Sequence, residues 1–76
     1  MKIEVLGTGC PKCMQLLSNV QAAVAETGVE AEISKVEDIT EIVAYGVMLT
    51  PALVIDGEIK TVGKVPAAEE IKALLV

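Results

Sequence analysis

The two cysteines of this 76-residue chain, Cys10 and Cys13, are separated by only two residues. A disulfide between them would close too small a ring to hold distant parts of the chain together, so a hydrophobic core must stabilise the fold. Apolar residues make up 53% of the sequence and charged residues 22%, which is sufficient for one core. Length and composition therefore predict a single globular domain over residues 1–76.

The composition argues against a nucleic-acid partner. Tyr45 is the only aromatic residue, so the stacking platforms of single-strand binders are missing. The formal net charge is −5, and the six lysines are scattered from Lys2 to Lys72 without forming a basic stripe. On average this charge repels phosphates.

The sequence also predicts a cytoplasmic protein with no membrane partner. The apolar run at the N-terminus is too short for a signal peptide and is followed by no small-residue cleavage site. No stretch approaches the roughly 20 apolar residues of a membrane span. In a reducing compartment, two cysteines at this spacing are more often catalytic or metal-binding than structural.

The first half of the chain has the pattern of a β-α-β unit. Residues 2–6 are a predicted strand, and a helix is predicted to begin at Pro11, whose missing N–H costs nothing at a first helical position. Gly28 is expected to end this helix. Residues 30–36 partly alternate in polarity and predict a second strand at a sheet edge. The apolar stripe of the helix comprises Cys13, Leu16, Leu17, Val20, Ala23 and Val24.

The second half predicts a helix, a hairpin and a last helix. Asp38 can cap a helix that ends at Gly46, and Asp-Gly at 56–57 predicts a hairpin between strands 52–55 and 58–62. A final helix is expected over 67–75, after Pro66. The predicted apolar positions are Ile39, Ile42 and Val43 in the middle helix and Ile71, Leu74 and Leu75 in the last.

Together these elements predict an α/β fold, β-α-β-α-β-β-α, with a four-stranded mixed sheet flanked by three helices. The first β-α-β unit should be parallel and right-handed. The hairpin then completes the sheet.

The pair Cys10 and Cys13 has the spacing and position of a redox-active dithiol. Cys10 precedes the first helix, where unpaired N–H groups and the positive end of the dipole stabilise a thiolate. Cys13 lies on the apolar stripe one turn later and should be more buried. We therefore expect Cys10 to attack a substrate disulfide and Cys13 to resolve the mixed disulfide.

The element order, the Cys-Pro-Lys-Cys segment at 10–13 and Thr50-Pro51 before the hairpin resemble the thioredoxin and glutaredoxin superfamily. The resemblance covers essentially the whole chain. It is greatest to the small thioredoxin-like redox-active disulfide proteins of archaea and bacteria. In that superfamily the proline corresponding to Pro51 is cis and lies against the active cysteines.

The resemblance implies a thiol–disulfide oxidoreductase with Cys10 as nucleophile and Cys13 as resolving thiol. Thr50 and Pro51 would form the substrate-docking loop. Independently of the resemblance, Lys12 places a positive charge near Cys10 and is a further candidate for substrate binding. The implied partners are client proteins that contain disulfides and an upstream disulfide reductase. No cofactor or metal is implied, because the cysteine pair itself stores the electrons, and a monomer is expected.

A Cu(I) or other soft-metal carrier is the main alternative, since two thiolates suit such ions. Those domains have the order β-α-β-β-α-β and usually carry Met two residues before the first cysteine, where this chain has Thr8. A pure interaction module on the same scaffold would generally have lost one or both cysteines.

Glu4 and Tyr45 each have two interpretations. Glu4 lies six residues before Cys10, the spacing at which thioredoxins place a buried acid that helps to deprotonate the resolving cysteine. We favour a solvated glutamate near a strand end over a buried proton relay. Tyr45 could flank the active site, but packing at the end of the second helix is the simpler interpretation.

Overall fold

The computed structural model describes residues 1–75, and Val76, the last residue of the predicted domain, lies outside the described residues. Within residues 1–75 the order is β-α-β-α-β-β-α, which confirms the predicted minimal thioredoxin fold. The elements are β1 Lys2–Leu6, α1 Pro11–Thr27, β2 Glu32–Val36, α2 Ile39–Ala44, β3 Ala52–Ile55, β4 Glu58–Val62 and α3 Ala68–Leu75. Three boundaries differ slightly from prediction: β2 starts at Glu32 rather than at residue 30, α2 ends at Ala44 rather than at Gly46, and α3 starts at Ala68 rather than at residue 67.

The sheet has the strand order β2-β1-β3-β4, so β2 lies at an edge as predicted. β1 runs parallel to β2 and antiparallel to β3. Leu6 at the end of β1 is therefore paired with Val36 at the end of β2 and with Ala52 at the start of β3. The segments that follow β1 and β2 and the segment that precedes β3 consequently meet at one end of the sheet.

One face of the sheet is covered by α1 and α3. The stripe of α1 is buried at Cys13, Leu16, Val20 and Ala23. Leu17 and Val24 are partly buried against the same cluster, so the predicted stripe is confirmed. The buried cluster on this face contains Ile3, Val5, Leu16, Val20, Ala23, Leu53, Ile55, Ile71 and Leu75. No helix within residues 1–75 is both long and apolar enough to cross a membrane.

The other face is covered by α2, and here the predicted apolar positions are partly wrong. Ile42 is buried, but Ile39 is 66% exposed and Val43 is 63% exposed. A helix of six residues makes fewer than two turns, so it directs few side chains towards the sheet. Tyr45 and Val47, which follow the helix, complete this part of the core. Leu74 of α3 is likewise exposed rather than buried.

The hairpin turn follows the predicted Asp-Gly signal. Asp56 and Gly57 both have positive φ, 51° and 81°, as a type I′ turn requires. The Asp56 carboxylate also accepts a hydrogen bond from the backbone N–H of Lys2 (2.8 Å), which ties the turn to the start of β1.

Candidate active site at the start of the first helix

Cys10 occupies the N-cap of α1, directly after the turn that leaves β1. Its backbone is extended (φ −68°, ψ 163°), and Pro11 takes the first helical position. The backbone N–H of Cys13 donates a hydrogen bond to Cys10 Sγ over 3.4 Å. The sulfur therefore takes the place of the capping oxygen at an ordinary helix N-terminus, where anions are favoured.

The two thiols are in direct contact. Cys10 Sγ and Cys13 Sγ lie 2.7 Å apart, and both cysteines are free. Cys10 is partly exposed, whereas Cys13 is only 5% exposed. A substrate can thus reach one sulfur from solvent, while the other stays behind it within bonding reach.

The surroundings move the pKa values of the two thiols in opposite directions. The hydrogen bond from the Cys13 thiol, helped by the Cys13 backbone N–H, lowers the pKa of Cys10. Burial, and then the hydrogen bond to Cys10, raises the pKa of Cys13. Because a thiolate is the reactive form of cysteine, these opposite pKa shifts favour the thiolate more at Cys10 than at Cys13.

Gly7 brings the backbone of the β1–α1 turn against the Cys13 thiol. A Cβ atom at this position would collide with Cys13 Sγ, so only glycine leaves room for the sulfur. Beyond the atoms of Cys13, the nearest atom to that Cβ position would be the Cβ of Thr50, at 3.9 Å. Gly7 therefore lies between the buried cysteine and the loop before β3.

Of the three predicted substrate-binding residues, Lys12 lies between the two cysteines in the chain, and Thr50 lies beside Gly7, which is packed against Cys13. The Thr50–Pro51 peptide bond is cis, Thr50 is exposed and Pro51 is buried. The Pro51 carbonyl accepts a hydrogen bond from the backbone N–H of Gly63 (2.8 Å), which fixes the loop to the end of β4. Lys12 has an exposed side chain in the first turn of α1.

Glu4 is buried, so the interpretation of a solvated glutamate is wrong. It is 8% exposed, and its Oε2 accepts a hydrogen bond of 2.7 Å from the hydroxyl of Tyr45. This hydrogen bond, together with burial, raises the pKa of Tyr45. Because side chains alternate along a strand, Glu4 shares the α2 face with Leu6. Tyr45 packs at the end of α2, as expected, but it also satisfies this buried carboxylate.

A pocket of about 180 Å³ opens beside the cysteines on the side of β2. Gly7, Gly9 and Cys13 contribute to its wall, and the exposed side chains of Lys35 and Glu37 line it as well. Sequence reasoning missed Lys35 and Glu37, because their position depends on the register that pairs Lys35 with Val5. The glycines at 7 and 9 were a usable signal, since they flank a turn directly before the cysteines.

Fold and site together define a dithiol protein of the thioredoxin fold, with a Cys-x-x-Cys pair at a helix N-terminus beside an X-Pro loop. The order of elements differs from the β-α-β-β-α-β order of the small metal carriers considered as the alternative.

Comparison with known proteins agrees with this class. A family model described as a thioredoxin domain matches residues 1–76. A thioredoxin of Methanothermobacter thermautotrophicus is 43% identical over 75 residues, which span 99% of this chain and 97% of that protein. A thioredoxin of Methanocaldococcus jannaschii is 50% identical over 70 residues, which span 92% and 80% of the two chains.

The chain belongs to the thioredoxin family. It is a thiol–disulfide oxidoreductase that carries the CxxC motif as Cys10 and Cys13, which confirms the function predicted from the sequence.

Proposed function

We propose that this protein is a redox carrier in which Cys10 attacks client disulfides and Cys13 resolves the mixed disulfide. The observation that carries this assignment is the 2.7 Å contact between a partly exposed and a buried thiol at the start of α1. The opposite displacement of their pKa values supports the same order of attack.

The exchange proceeds in two steps. The Cys10 thiolate forms a bond to one sulfur of the client disulfide, which breaks and releases the other client sulfur as a thiolate. Cys13 then loses its proton and attacks Cys10 Sγ, forming the Cys10–Cys13 disulfide and releasing the second client thiolate. Two electrons pass from the dithiol to the client, and an upstream disulfide reductase returns them. No bound cofactor takes part, because the cysteine pair stores both electrons.

The client is proposed to dock along Thr50 and Pro51, with the exposed Lys12 as a further substrate-binding residue. Thr50 is exposed next to Gly7 and Cys13, so an extended client segment can pair with its backbone. Met48 and Leu49, directly before it, expose apolar side chains that a client can cover. Lys12, in the first turn of α1, offers a positive charge.

We further propose that the carrier acts as a monomer, in the cytoplasm, as one domain over residues 1–76. One hydrophobic core on each face of a common sheet supports a single folding unit. The close spacing of Cys10 and Cys13 suits a reducing compartment, where an isolated pair of this kind has a catalytic use.

The test is a redox titration under anaerobic, metal-free conditions. The protein is equilibrated across dithiothreitol ratios, alkylated rapidly, and analysed by mass spectrometry to count and locate free thiols. We expect a reversible two-electron transition, with Cys10 alkylating faster than Cys13 near neutral pH. With a disulfide-containing client protein and no dithiothreitol, the reduced variant Cys13→Ser should trap a mixed disulfide on Cys10, and Cys10→Ser should form none. Absence of the transition, or faster alkylation of Cys13, would overturn the assignment.

A further inference from the structure

The cysteines have two different flanks. Because β1 is central, Thr50 and Pro51 lie on the side of β3, whereas Lys35 and Glu37 lie on the side of β2. The first flank carries the proposed client-docking loop. The flank on the side of β2 holds the pocket next to Cys13, and neither of the two exchange steps described above involves this pocket.

The second step of the exchange requires Cys13 to lose a proton while a client covers the site. Burial raises the pKa of this thiol, and the Gly9 backbone N–H offsets that effect only in part. A client bound along Thr50 closes the front of the site, so solvent must reach the buried sulfur from another direction. The pocket on the β2 side provides that direction.

Glu4 is poorly placed to receive this proton. Its side chain lies on the α2 face of the sheet, where it accepts the hydrogen bond from Tyr45. Cys13 lies against Gly7 and belongs to the buried stripe of α1 on the opposite face. The sheet itself therefore separates this carboxylate from the resolving thiol.

Glu37 is on the same side as the thiol. A Cβ atom built on Gly9 would stand 3.2 Å from Glu37 Oε2, so the carboxylate lies over the backbone of Gly9. The N–H of that same residue is close enough to the Cys13 sulfur to favour its thiolate. Glu37 and Cys13 both line the pocket of about 180 Å³, which has room for a short chain of water molecules.

We propose that Cys13 releases its proton through this pocket and that the Glu37 carboxylate accepts it. The inference rests on the proposed order of attack, with Cys13 as the resolving thiol. The proton passes from Cys13 Sγ through pocket water to Glu37, leaving a Cys13 thiolate and a neutral Glu37 carboxyl group. The thiolate then attacks Cys10 Sγ and the client thiolate leaves. Glu37 afterwards returns the proton to solvent.

The charged and titratable groups around this route come from each neighbouring element. α1 contributes Cys10 and the exposed Lys12, and the end of β2 contributes Lys35 and Glu37. β1 contributes Glu4, which lies on the far face. Lys35 lines the same pocket and is expected to stabilise negative charge on Cys13 during transfer.

The test separates the two steps with the neutral disulfide dithiodipyridine, whose thiopyridone product is coloured. In mildly acidic solution the reduced protein should release one thiopyridone and hold the other on Cys10. A jump to higher pH then starts the attack by Cys13, and the second release is followed by stopped flow. Glu37→Gln should slow this second release about tenfold near neutral pH and leave the first unchanged. The difference should vanish at high pH, where hydroxide takes the proton.

Three variants sharpen the outcome. Glu37→Asp should recover part of the rate, and Glu41→Gln, which removes an exposed carboxylate on α2, should behave as the parent protein. An unchanged second release in Glu37→Gln overturns the inference, as does slowing in Glu4→Gln alone. A faster release also overturns it, because loss of a nearby negative charge merely lowers the pKa of a thiol. If the parent protein releases no thiopyridone, the proposed function fails instead.

Discussion

The two faces of the sheet differ in how they are covered. The face under α1 and α3 is closed by two helices of 17 and 8 residues over a continuous apolar cluster. The face under α2 is closed by six helical residues and includes the buried pair of Glu4 and Tyr45. Stability is therefore concentrated on the face that carries the cysteines. The thinner face leads, through residues 46–49, into the loop of Thr50 and Pro51.

This division has a functional consequence. The cysteine pair lies at the start of a long, well-packed helix, which holds the two sulfurs in position. The loop of Thr50 and Pro51, which we propose as the client-docking loop, follows a short helix with few buried side chains, where local opening costs less. The comparison can be tested on both faces with the same measurements.

The largest expected effect comes from truncating the well-packed face. Leu16 is fully buried between α1 and the sheet, and Leu16→Ala should lower the free energy of unfolding by about 4 kcal/mol. Ile42→Ala, on the thinner face, should cost about 2 kcal/mol, because the short helix α2 that carries this residue can shift and partly close the cavity. Urea unfolding of the reduced proteins measures both changes. Equal losses in the two variants would show that the faces contribute alike.

A second effect concerns the buried polar pair. Tyr45→Phe keeps the ring but leaves the Glu4 carboxylate without its hydroxyl donor, which should cost about 2 kcal/mol. Replacing both partners, as Glu4→Leu with Tyr45→Phe, should restore most of that loss because no buried polar group is then unsatisfied. A double-mutant cycle from urea unfolding gives the coupling. Additive losses would mean that the hydrogen bond adds nothing to the thinner face.

A smaller effect should appear in the pH dependence of the same pair. The hydrogen bond to Glu4 and burial raise the pKa of Tyr45, so its phenol should ionise at a higher pH than in the unfolded chain. A group whose pKa is raised by folding stabilises the folded state at pH values below its pKa in the unfolded chain. This contribution is lost as the pH rises through its pKa in the folded protein. Tyr45 is the only aromatic residue, so near-ultraviolet absorbance reports its ionisation alone. If the Tyr45 phenol titrated with the pKa it has in the unfolded chain, that result would contradict the buried hydrogen bond. Glu4→Gln should lower the pKa of Tyr45.

The smallest effect is expected at the exposed apolar positions of α2. Val43→Gln should change the free energy of unfolding by less than about 0.5 kcal/mol, because most of this residue is already exposed to solvent in the folded protein. Thermal unfolding beside the parent protein measures the change. A loss as large as that of Ile42→Ala would mean that Val43 belongs to the core of the thinner face.

The fold was predictable wherever a local signal was strong. The stripe of α1, the Pro11 start and the Asp56–Gly57 turn each depend on short-range chemistry, and each appears as expected. Prediction failed at Ile39 and Val43, because a helical pattern says which residues share a face but not how much of that face the sheet can cover. The same limit applies to Leu74.

The sequence by itself determined the dithiol, its place before a helix and the order of strands and helices. These follow from residue spacing, capping and turn chemistry, which act over a few residues. Only the tertiary structure decided that Glu4 faces Tyr45, that Gly7 lies against Cys13, and that Glu37 shares a pocket with Cys13. Those contacts depend on which strands pair and in what register, and pairing joins residues whose separation along the chain carries no local signal.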